Sequence, residues 1–133
     1  MKAAQRTQIS IFLQNRPGHV ADLCGKLSDA GLSILAMTVI DTVDVGTTRL
    51  VVDDVGLARA TLDGASVAYM LVPVISMELA NRRGAFAAVA RTLANAGVNV
   101  EYVYVTALPN TDRALAIFRV DDTETALQLS YPD

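Results

Sequence analysis

Two short segments of the sequence, residues 15–20 and 81–86, share a pattern suited to binding a small charged molecule. Each begins with Asn-Arg and has a glycine at its fourth position, Gly18 or Gly84. An asparagine side chain offers both hydrogen-bond donors and an acceptor. A loop that leads into a helix also presents free backbone N–H groups and the positive end of the helix dipole. These groups suit a free amino acid, whose carboxylate needs donors and whose ammonium group needs acceptors.

The residues that we expect to contact such a ligand are Asn15, Pro17, Gly18, His19 and Val20 in the first copy and Asn81, Arg83, Gly84, Ala85 and Phe86 in the second. The glycines let a ligand approach the backbone closely, because they have no side chain. Three alternatives stay open. The asparagines are also favoured as helix caps, His19 is also compatible with a solvated position, and paired arginines such as Arg82 and Arg83 are commonly solvated.

The chain offers no set of residues for nucleophilic or metal-dependent catalysis. It has one histidine and one cysteine. Cys24 falls on an apolar helical stripe, which predicts a core position. The acidic pairs that begin at Asp53 and Asp121 precede predicted helices, where negative charge complements the helix dipole without a metal. We therefore expect no catalytic residues, no metal site and no cofactor.

The elements around the first loop follow the order strand, helix, strand, strand, helix, strand. Alternating apolar residues predict a strand at 9–14. An apolar stripe at helical spacing follows, formed by Val20, Leu23, Cys24 and Leu27, and Gly31 is placed to end this helix in a left-handed conformation. Further strands are predicted at 32–40, 48–52 and 67–72, with a helix at 55–62. This order is the split βαβ, or ferredoxin-like, arrangement, with both helices on one face of a four-stranded sheet.

The pattern restarts after Pro73, so the chain contains an internal repeat. The Asn-Arg loop recurs 66 positions later, and the Val-Asp-Asp that starts at Val52 recurs 68 positions later at Val120. A strand is predicted at 100–106 and a short last helix at 123–129. We predict an α+β fold of two tandem ferredoxin-like (βαββαβ) units, 1–72 and 73–133, the second lacking a full fourth strand. Residues 1–6 are polar and expected to be frayed.

Composition predicts an oligomer. Hydrophobic residues make up 52% of the sequence and the mean hydropathy is +0.35, which implies more apolar surface than one small chain readily covers. Residues 32–39 are apolar on both faces, whereas the predicted helices cover only one. The missing fourth strand also leaves a sheet edge to be covered. We expect a homodimer, or strand sharing, to cover these surfaces.

Charge and apolar run length argue against other partners. The net charge is −3, the pI is near 5.0 and aromatic residues are 5%, so no nucleic-acid-binding surface is predicted. The longest uncharged run lies between Asp63 and Glu78 and contains Pro73, which is too short for a membrane span. With no apolar leader and a single cysteine, a reducing, cytoplasmic location is expected.

The Asn-Arg-Pro-Gly loop, with Ala-Gly-Leu-Ser or Ala-Gly-Val-Asn before the next strand, resembles the ACT domain. The resemblance covers nearly the whole chain as two tandem copies, similar to the small stand-alone tandem-ACT proteins. It implies that an amino acid binds between the strand–loop–helix segment of one unit and the second strand of another. The loop asparagines and Asn99, which begins a second strand, match residues that contact the ligand in the family. Ser33 takes the place of Asn99 in the first copy, so that site would bind differently.

Other positions bear on the identity of the ligand. Arg83 replaces the usual proline and adds a cation near a bound carboxylate. Leu13 and Leu79 stand where serine-sensing members carry a polar contact, so the pattern does not favour serine. The residues expected to line the pocket for the ligand's side chain lie on the second strands and are Met37, Thr38, Tyr102 and Tyr104. The two tyrosines are equally compatible with interface packing.

The resemblance implies a non-catalytic regulatory protein that binds a small free amino acid at interfaces between ACT units. An alternative is a regulatory subunit that acts in trans on a separate enzyme of amino-acid metabolism. A small ferredoxin-like enzyme is disfavoured, because neither a glycine-rich phosphate cradle nor a nucleophile–base set is present. Histidine, branched-chain and aromatic amino acids all remain possible ligands.

Overall fold

The helices and strands follow one another in an order that occurs twice: strand, helix, strand, strand, helix. The computed structural model describes residues 1–14, 16–41 and 46–133. Its elements are β1 (Ala4–Leu13), α1 (His19–Asp29), β2 (Ile34–Asp41), β3 (Gly46–Val52), α2 (Val55–Gly64), β4 (Tyr69–Ala80), α3 (Ala85–Asn95), β5 (Val100–Ala107), β6 (Arg113–Val120) and α4 (Thr123–Gln128). Asn15, one of the expected ligand contacts, lies outside the described residues.

The chain forms two units, Thr7–Val72 and a second one made of Met1–Arg6 with Pro73–Asp133. The predicted division was 1–72 and 73–133, so the first six residues join the other unit. The prediction that they are frayed is wrong. Residues 4–6 are part of β1, the ammonium group of Met1 donates to the carbonyl of Tyr131 at 2.7 Å, and the Tyr131 N–H donates back to the Met1 carbonyl at 2.8 Å. No strand follows α4 within the described residues.

Strand β4 is longer than the sequence pattern indicates. The sequence predicts one strand at 67–72 and a new one after Pro73, whereas β4 runs without interruption from Tyr69 to Ala80. Proline is tolerated in a strand where its missing N–H is not needed. The Pro73 carbonyl accepts a hydrogen bond from Nη1 of Arg119 at 3.0 Å. The end of the first repeat and the start of the second therefore share one strand.

In the first unit, the hydrogen-bonded strands follow the order β2-β3-β1-β4, and α1 and α2 cover one face of the sheet. Ile9 and Leu50 are paired across β1 and β3, and both are fully buried. The residues that complete this core from the helices are Leu23, Leu27, Ala58 and Leu62. Burial of each leucine side chain contributes about 1.5–3 kcal/mol. The helices thus pack on the Ile9 side of the sheet and position the loop that precedes α1.

The second unit repeats this arrangement with strand order β1-β4-β6-β5, to which β1 contributes its residues 4–6. Ile75 pairs with Phe118 as Ile9 pairs with Leu50, and both residues are fully buried in a core completed by α3, α4 and their neighbours. The irregularities in β2 and β5 also fall at equivalent positions, Ile34/Ala36 and Val100/Tyr102. The register of the sheets therefore agrees with the internal repeat.

The sheet faces opposite the helices are partly buried within the chain. Val51 and Ile117 alternate with core residues along β3 and β6, so they point away from the helices. Each is only 1% exposed.

Within the described residues, no helix has both the length and the apolar character needed to cross a membrane.

Candidate functional site

The two loops expected to bind ligand end in the same backbone conformation. Gly18 and Gly84 are the N-caps of α1 and α3, with φ of 90° and 83°. Such left-handed values are strained for residues that carry a Cβ. A Cβ added at either glycine would meet no atom within 4 Å, so the conformation, rather than a lack of space, explains the glycines. Since the caps are these glycines, the alternative that Asn81 caps α3 is wrong.

At the corner of the first unit, where β1 leads into α1, Arg16 and His19 are held together. Nδ1 of His19 lies 2.6 Å from the carbonyl oxygen of Gln14, and Nε of Arg16 donates to Nε2 of His19. Because Nε2 accepts this bond, the network assigns the remaining ring hydrogen to Nδ1, which donates to Gln14. The imidazole thus orients the guanidinium group at the mouth of the loop.

A cleft of about 240 Å³ opens beside these two residues within the first unit. Its lining residues are Leu13, Arg16, His19, Asp22, Leu23, Lys26 and Val67. The volume is many times the ~10–15 Å³ that one water molecule needs, which is enough for a small amino acid. Arg16 and Lys26 bring positive charge and Asp22 brings negative charge, so both ends of a zwitterion find a counter-charge.

A second, smaller cleft of about 30 Å³ adjoins the same corner. Val20, Val39 and Thr48 contribute to its wall, together with Arg16 and His19. The sequence pattern predicted His19 and Val20 as ligand contacts but not Arg16, nor Asp22 and Lys26 of the larger cleft. Their spacing from His19, three and seven residues along a helix, places them on one helical face and was the available signal.

The corner of the second unit is arranged differently, because the Asn81 side chain is used within the protein. Its Nδ2 donates to the carbonyl of Leu108 at 2.8 Å and to the carbonyl of Thr111 at 3.0 Å. Its backbone N–H donates to the Asp112 carbonyl at 2.9 Å. These bonds join the end of β4 to the connection between β5 and β6. The amide donors of Asn81 therefore already have partners.

Some of the residues next to Asn81 make contacts within the protein, and others are exposed to solvent. The Phe86 ring stacks on Phe118 of the core, with ring centroids 5.7 Å apart and planes at 7°. Val20 occupies the position of Phe86 in the first unit, so the second corner carries the bulkier side chain. Ala85 is buried at 6% exposure, Nη2 of Arg82 donates to the Asp133 carbonyl at 3.1 Å, and Arg83 is exposed.

Asn99 lies far from Asn81 within the second unit. Its backbone N–H donates to Oδ1 of Asp121 at 2.8 Å, and its carbonyl accepts from the Asp121 N–H at 3.1 Å. Ser33 and Asp53 form the same reciprocal pair in the first unit, at 3.0 and 3.2 Å. Asn99 lies directly before β5, whereas the side chain of Asn81 contacts Leu108, directly after β5. The length of this strand, about eight residues at ~3.3 Å each, therefore separates the two asparagines. One unit does not bring the two asparagines to a common ligand.

The four predicted pocket residues of β2 and β5 lie on two different faces. Met37 pairs with core residue Leu50 and therefore shares the helix-covered face. Thr38 is the next residue of β2, so it lies on the face opposite the helices. In the second unit, Tyr102 and Tyr104 pair with Arg119 and Ile117 and also lie on the face opposite the helices. The clefts of the first corner lie on the helix side, where Val39 takes part, so Thr38 does not reach them.

The acidic pairs at the helix starts have structural partners. Asp53 and Asp121 bind the residues before β2 and β5, and Asp54 and Asp122 cap α2 and α4 through bonds to backbone N–H groups. Among the residues that the structure describes, no cluster of three or more His, Cys, Asp or Glu side chains suits a metal ion.

A family model described as an ACT domain pair matches residues 5–130. The chain belongs to this family. No curated protein sequence matches it significantly.

Solved structures share the fold over most of the chain. Protein BT0572 from Bacteroides thetaiotaomicron is 28% identical, with a TM-score of 0.83, over 90% of this chain and 81% of that one. The regulatory subunit of aspartate kinase from Thermus thermophilus is 17% identical, with a TM-score of 0.69, over 96% and 93% of the two chains. Its counterpart from Thermus flavus is 16% identical, with a TM-score of 0.61 and the same coverage.

Proposed function

We propose that this protein is a non-catalytic regulator that senses a small free amino acid. Membership of the ACT domain pair family supports a regulatory role. The observation that carries the proposal is the first-unit cleft of about 240 Å³, which has cationic and anionic side chains around one opening. Arg16 and Lys26 would hold the carboxylate, Asp22 would hold the ammonium group, and Leu13 and Leu23 would contact the aliphatic part of the ligand.

Charge-assisted hydrogen bonds give such a cleft its expected affinity. Each contributes about 1.5–3 kcal/mol when both partners are ordered. The Nε of Arg16 is bonded to His19, which restrains its guanidinium group at the cleft. Removing its charge should therefore weaken carboxylate binding more than removing a mobile surface charge.

A thermal-shift and calorimetry panel of the twenty common amino acids tests the proposal. We expect at least one of them to stabilise the protein at millimolar concentration, and Arg16→Gln to weaken that ligand about tenfold or more. Arg59→Gln is the matched control, since Arg59 is exposed on α2 and does not line the cleft. If no amino acid stabilises the wild-type protein, the proposal is wrong.

We further propose that the working form is a homodimer. Strand β2 ends the strand order of the first unit, and its apolar residues Leu35, Met37 and Val39 are 41%, 41% and 49% exposed. An exposed apolar edge strand favours pairing with a second copy. Such pairing would bring a β2 strand toward a loop of another unit. Light scattering of the wild type and of Val39→Lys tests this, since a lysine on the edge should favour the monomer.

Regulation of a separate enzyme in trans is a second candidate. The Thermus structures are regulatory subunits of aspartate kinase, and 93% of each of those chains aligns with this one. The ACT domain pair at residues 5–130 would suit the same kind of task. Affinity capture from the native cell extract, with and without the amino acid identified above, tests the candidate. A protein that is recovered alone under both conditions would argue against it.

A further inference from the structure

A second cleft with charged walls lies in the second unit, away from the corner that precedes α3. Its volume is about 280 Å³. Its lining residues are Glu78, Thr106, Leu108, Thr111, Arg113, Ala114 and Leu115. We call it the Glu78 cleft. It combines one carboxylate, one guanidinium group and two hydroxyl groups with aliphatic side chains.

Strand register places the charged residues of the Glu78 cleft on one face of the sheet. Glu78 and Thr106 both pair with Leu115, from β4 and β5 on either side of β6. Arg113 lies two residues before Leu115 and so shares its face. Diagonal neighbours of this kind are about 7–8 Å apart. Because Ala116 and Phe118 alternate with these positions and belong to the core, the cleft lies on the face opposite the helices.

The polarity of the Glu78 cleft is not required by the fold. In the first unit, the equivalent rung across the three strands is formed by Phe12, Thr47 and Ile40. It has no charge, and its Phe12 and Ile40 side chains are 45% and 36% exposed. The charged Glu78 of the second copy thus stands where the first copy has the apolar Phe12.

Glu78 and Arg113 carry opposite charges at neighbouring positions but do not neutralise each other. Within the described residues, no ion pair of 4.0 Å or less joins them, and the hydrogen bonds of those residues use neither the carboxylate nor the guanidinium group. Thr111, in the wall of the same cleft, is held by a bond within the protein, since its Oγ1 donates to the Leu108 carbonyl at 2.7 Å. Opposite charges that flank an open cleft fit a ligand that carries both charges itself.

We propose that the Glu78 cleft is a second binding site for a small zwitterion of the amino-acid class. Glu78 holds the ammonium group, Arg113 holds the carboxylate, and the hydroxyl group of Thr106 binds a remaining polar atom of the ligand. Leu108 and Leu115 contact the aliphatic part of the ligand. The site rests on the proposed function only for the class of ligand, and it is separate from the corner that contains Arg16.

Calorimetry and NMR titration of the full-length protein with each of the twenty common amino acids test this site. We expect Glu78→Gln and Arg113→Gln each to weaken one binding event about tenfold to a hundredfold. The chemical-shift changes that these variants reduce should lie near the ends of β4 and β5 and the start of β6. Glu124→Gln and Arg91→Gln are matched exposed controls and should leave binding unchanged.

Two further ligands assign the charges. The methyl ester of the bound amino acid should be insensitive to Arg113→Gln, and its N-acetyl derivative should be insensitive to Glu78→Gln. If binding persists unchanged in both variants but falls in Arg16→Gln, the Glu78 cleft is not a site while the proposed function stands. If Arg16→Gln has no effect and both Glu78-cleft variants weaken binding, the inference stands and the corner assignment fails.

Discussion

The side-chain amide of Asn81 donates to the carbonyl of Leu108 at 2.8 Å and thereby ties the end of β4 to the residue that follows β5. Thr111 receives the second bond from the same nitrogen at 3.0 Å. The donor that the sequence pattern offers to a ligand therefore stabilises the protein itself. A ligand that approaches this corner meets a residue whose amide orientation is already set.

Asn81→Ala should destabilise the second unit by about 1–2 kcal/mol, because the hydrogen bonds from its side chain to the Leu108 and Thr111 carbonyls are lost. Urea denaturation of the full-length protein measures the change. Asn95→Ala is the control, since Asn95 is exposed at the end of α3, and its effect should stay within about 0.5 kcal/mol. A variant at Asn81 that is as stable as the wild type but has lost amino-acid binding would assign this residue to the ligand instead.

Gly18→Ala should cost about 1–2 kcal/mol of stability, since alanine must adopt the left-handed conformation at φ 90°. Gly25→Ala is a control in the same segment of chain. Gly25 lies inside α1, and an added Cβ meets no atom within 4 Å, so this substitution should stabilise the protein by roughly 0.5–1 kcal/mol. Thermal unfolding of the two variants should shift in opposite directions. Equal shifts would contradict the role of the left-handed cap.

The sequence predicts those parts of the fold that depend on local patterns. In the predicted apolar stripe, Val20 is 37% exposed and Cys24 is only half-buried, so the core members are Leu23 and Leu27. These two leucines and the left-handed glycines Gly31 and Gly97 occur where the pattern predicts them. Their signals are local, since helical spacing and cap chemistry involve residues within about one turn. The repeat strengthened these predictions, because the same local signal occurred twice.

The features that the sequence did not predict depend on contacts between distant residues. Met1 joins the second unit through Tyr131, which is 130 positions away, and its short polar segment has no local strand signal. Asn81 finds its partner Leu108 across a separation of 27 residues. The sequence predicts which loops form the candidate site, but not which of their side chains form hydrogen bonds within the folded protein. The Glu78 cleft was missed for the same reason, because only strand register brings its residues together.

Thr125→Val should raise the pKa of the Asp122 carboxyl group toward its ordinary value of 3.8. The Thr125 hydroxyl group, bonded to Asp122 at 2.6 Å, and the Thr125 N–H at 3.0 Å both favour the carboxylate and lower this pKa. NMR titration of the side-chain carboxyl carbon measures the shift. Thr123→Val is the control, because the partners that shift Asp122 do not include Thr123.

The lowered pKa of Asp122 also predicts how stability depends on pH. The folded protein favours the carboxylate more than the unfolded chain does, so this contribution is complete above the unfolded pKa. It is lost as the pH falls below about 4 and passes through the lower folded value. In Asp122→Asn, the free energy of unfolding should lack this acid-dependent contribution. If acid denaturation of the wild type and Asp122→Asn has the same pH dependence, the N-cap bond does not contribute in this way.

Tyr131→Phe should lower stability at neutral pH by about 1 kcal/mol and also reduce its loss at alkaline pH. The Tyr131 hydroxyl group donates to the Ala126 carbonyl at 2.6 Å, and the residue is only 3% exposed. Burial raises the pKa of this hydroxyl group above 10.0. Because the folded state favours the neutral phenol, the contribution is present below the unfolded pKa and is lost as the pH rises above about 10.

Denaturation of the wild type and Tyr131→Phe between neutral pH and pH ~11 measures both effects of this substitution. Tyr69→Phe is the control, since Tyr69 is only partly buried and its hydroxyl group donates to Asp63 on the surface at 2.8 Å. Its removal should change stability by about 0.5 kcal/mol or less and leave the alkaline dependence intact. If Tyr131→Phe loses stability with rising pH as steeply as the wild type, other groups cause that loss, and the contact of Tyr131 with α4 is structural alone.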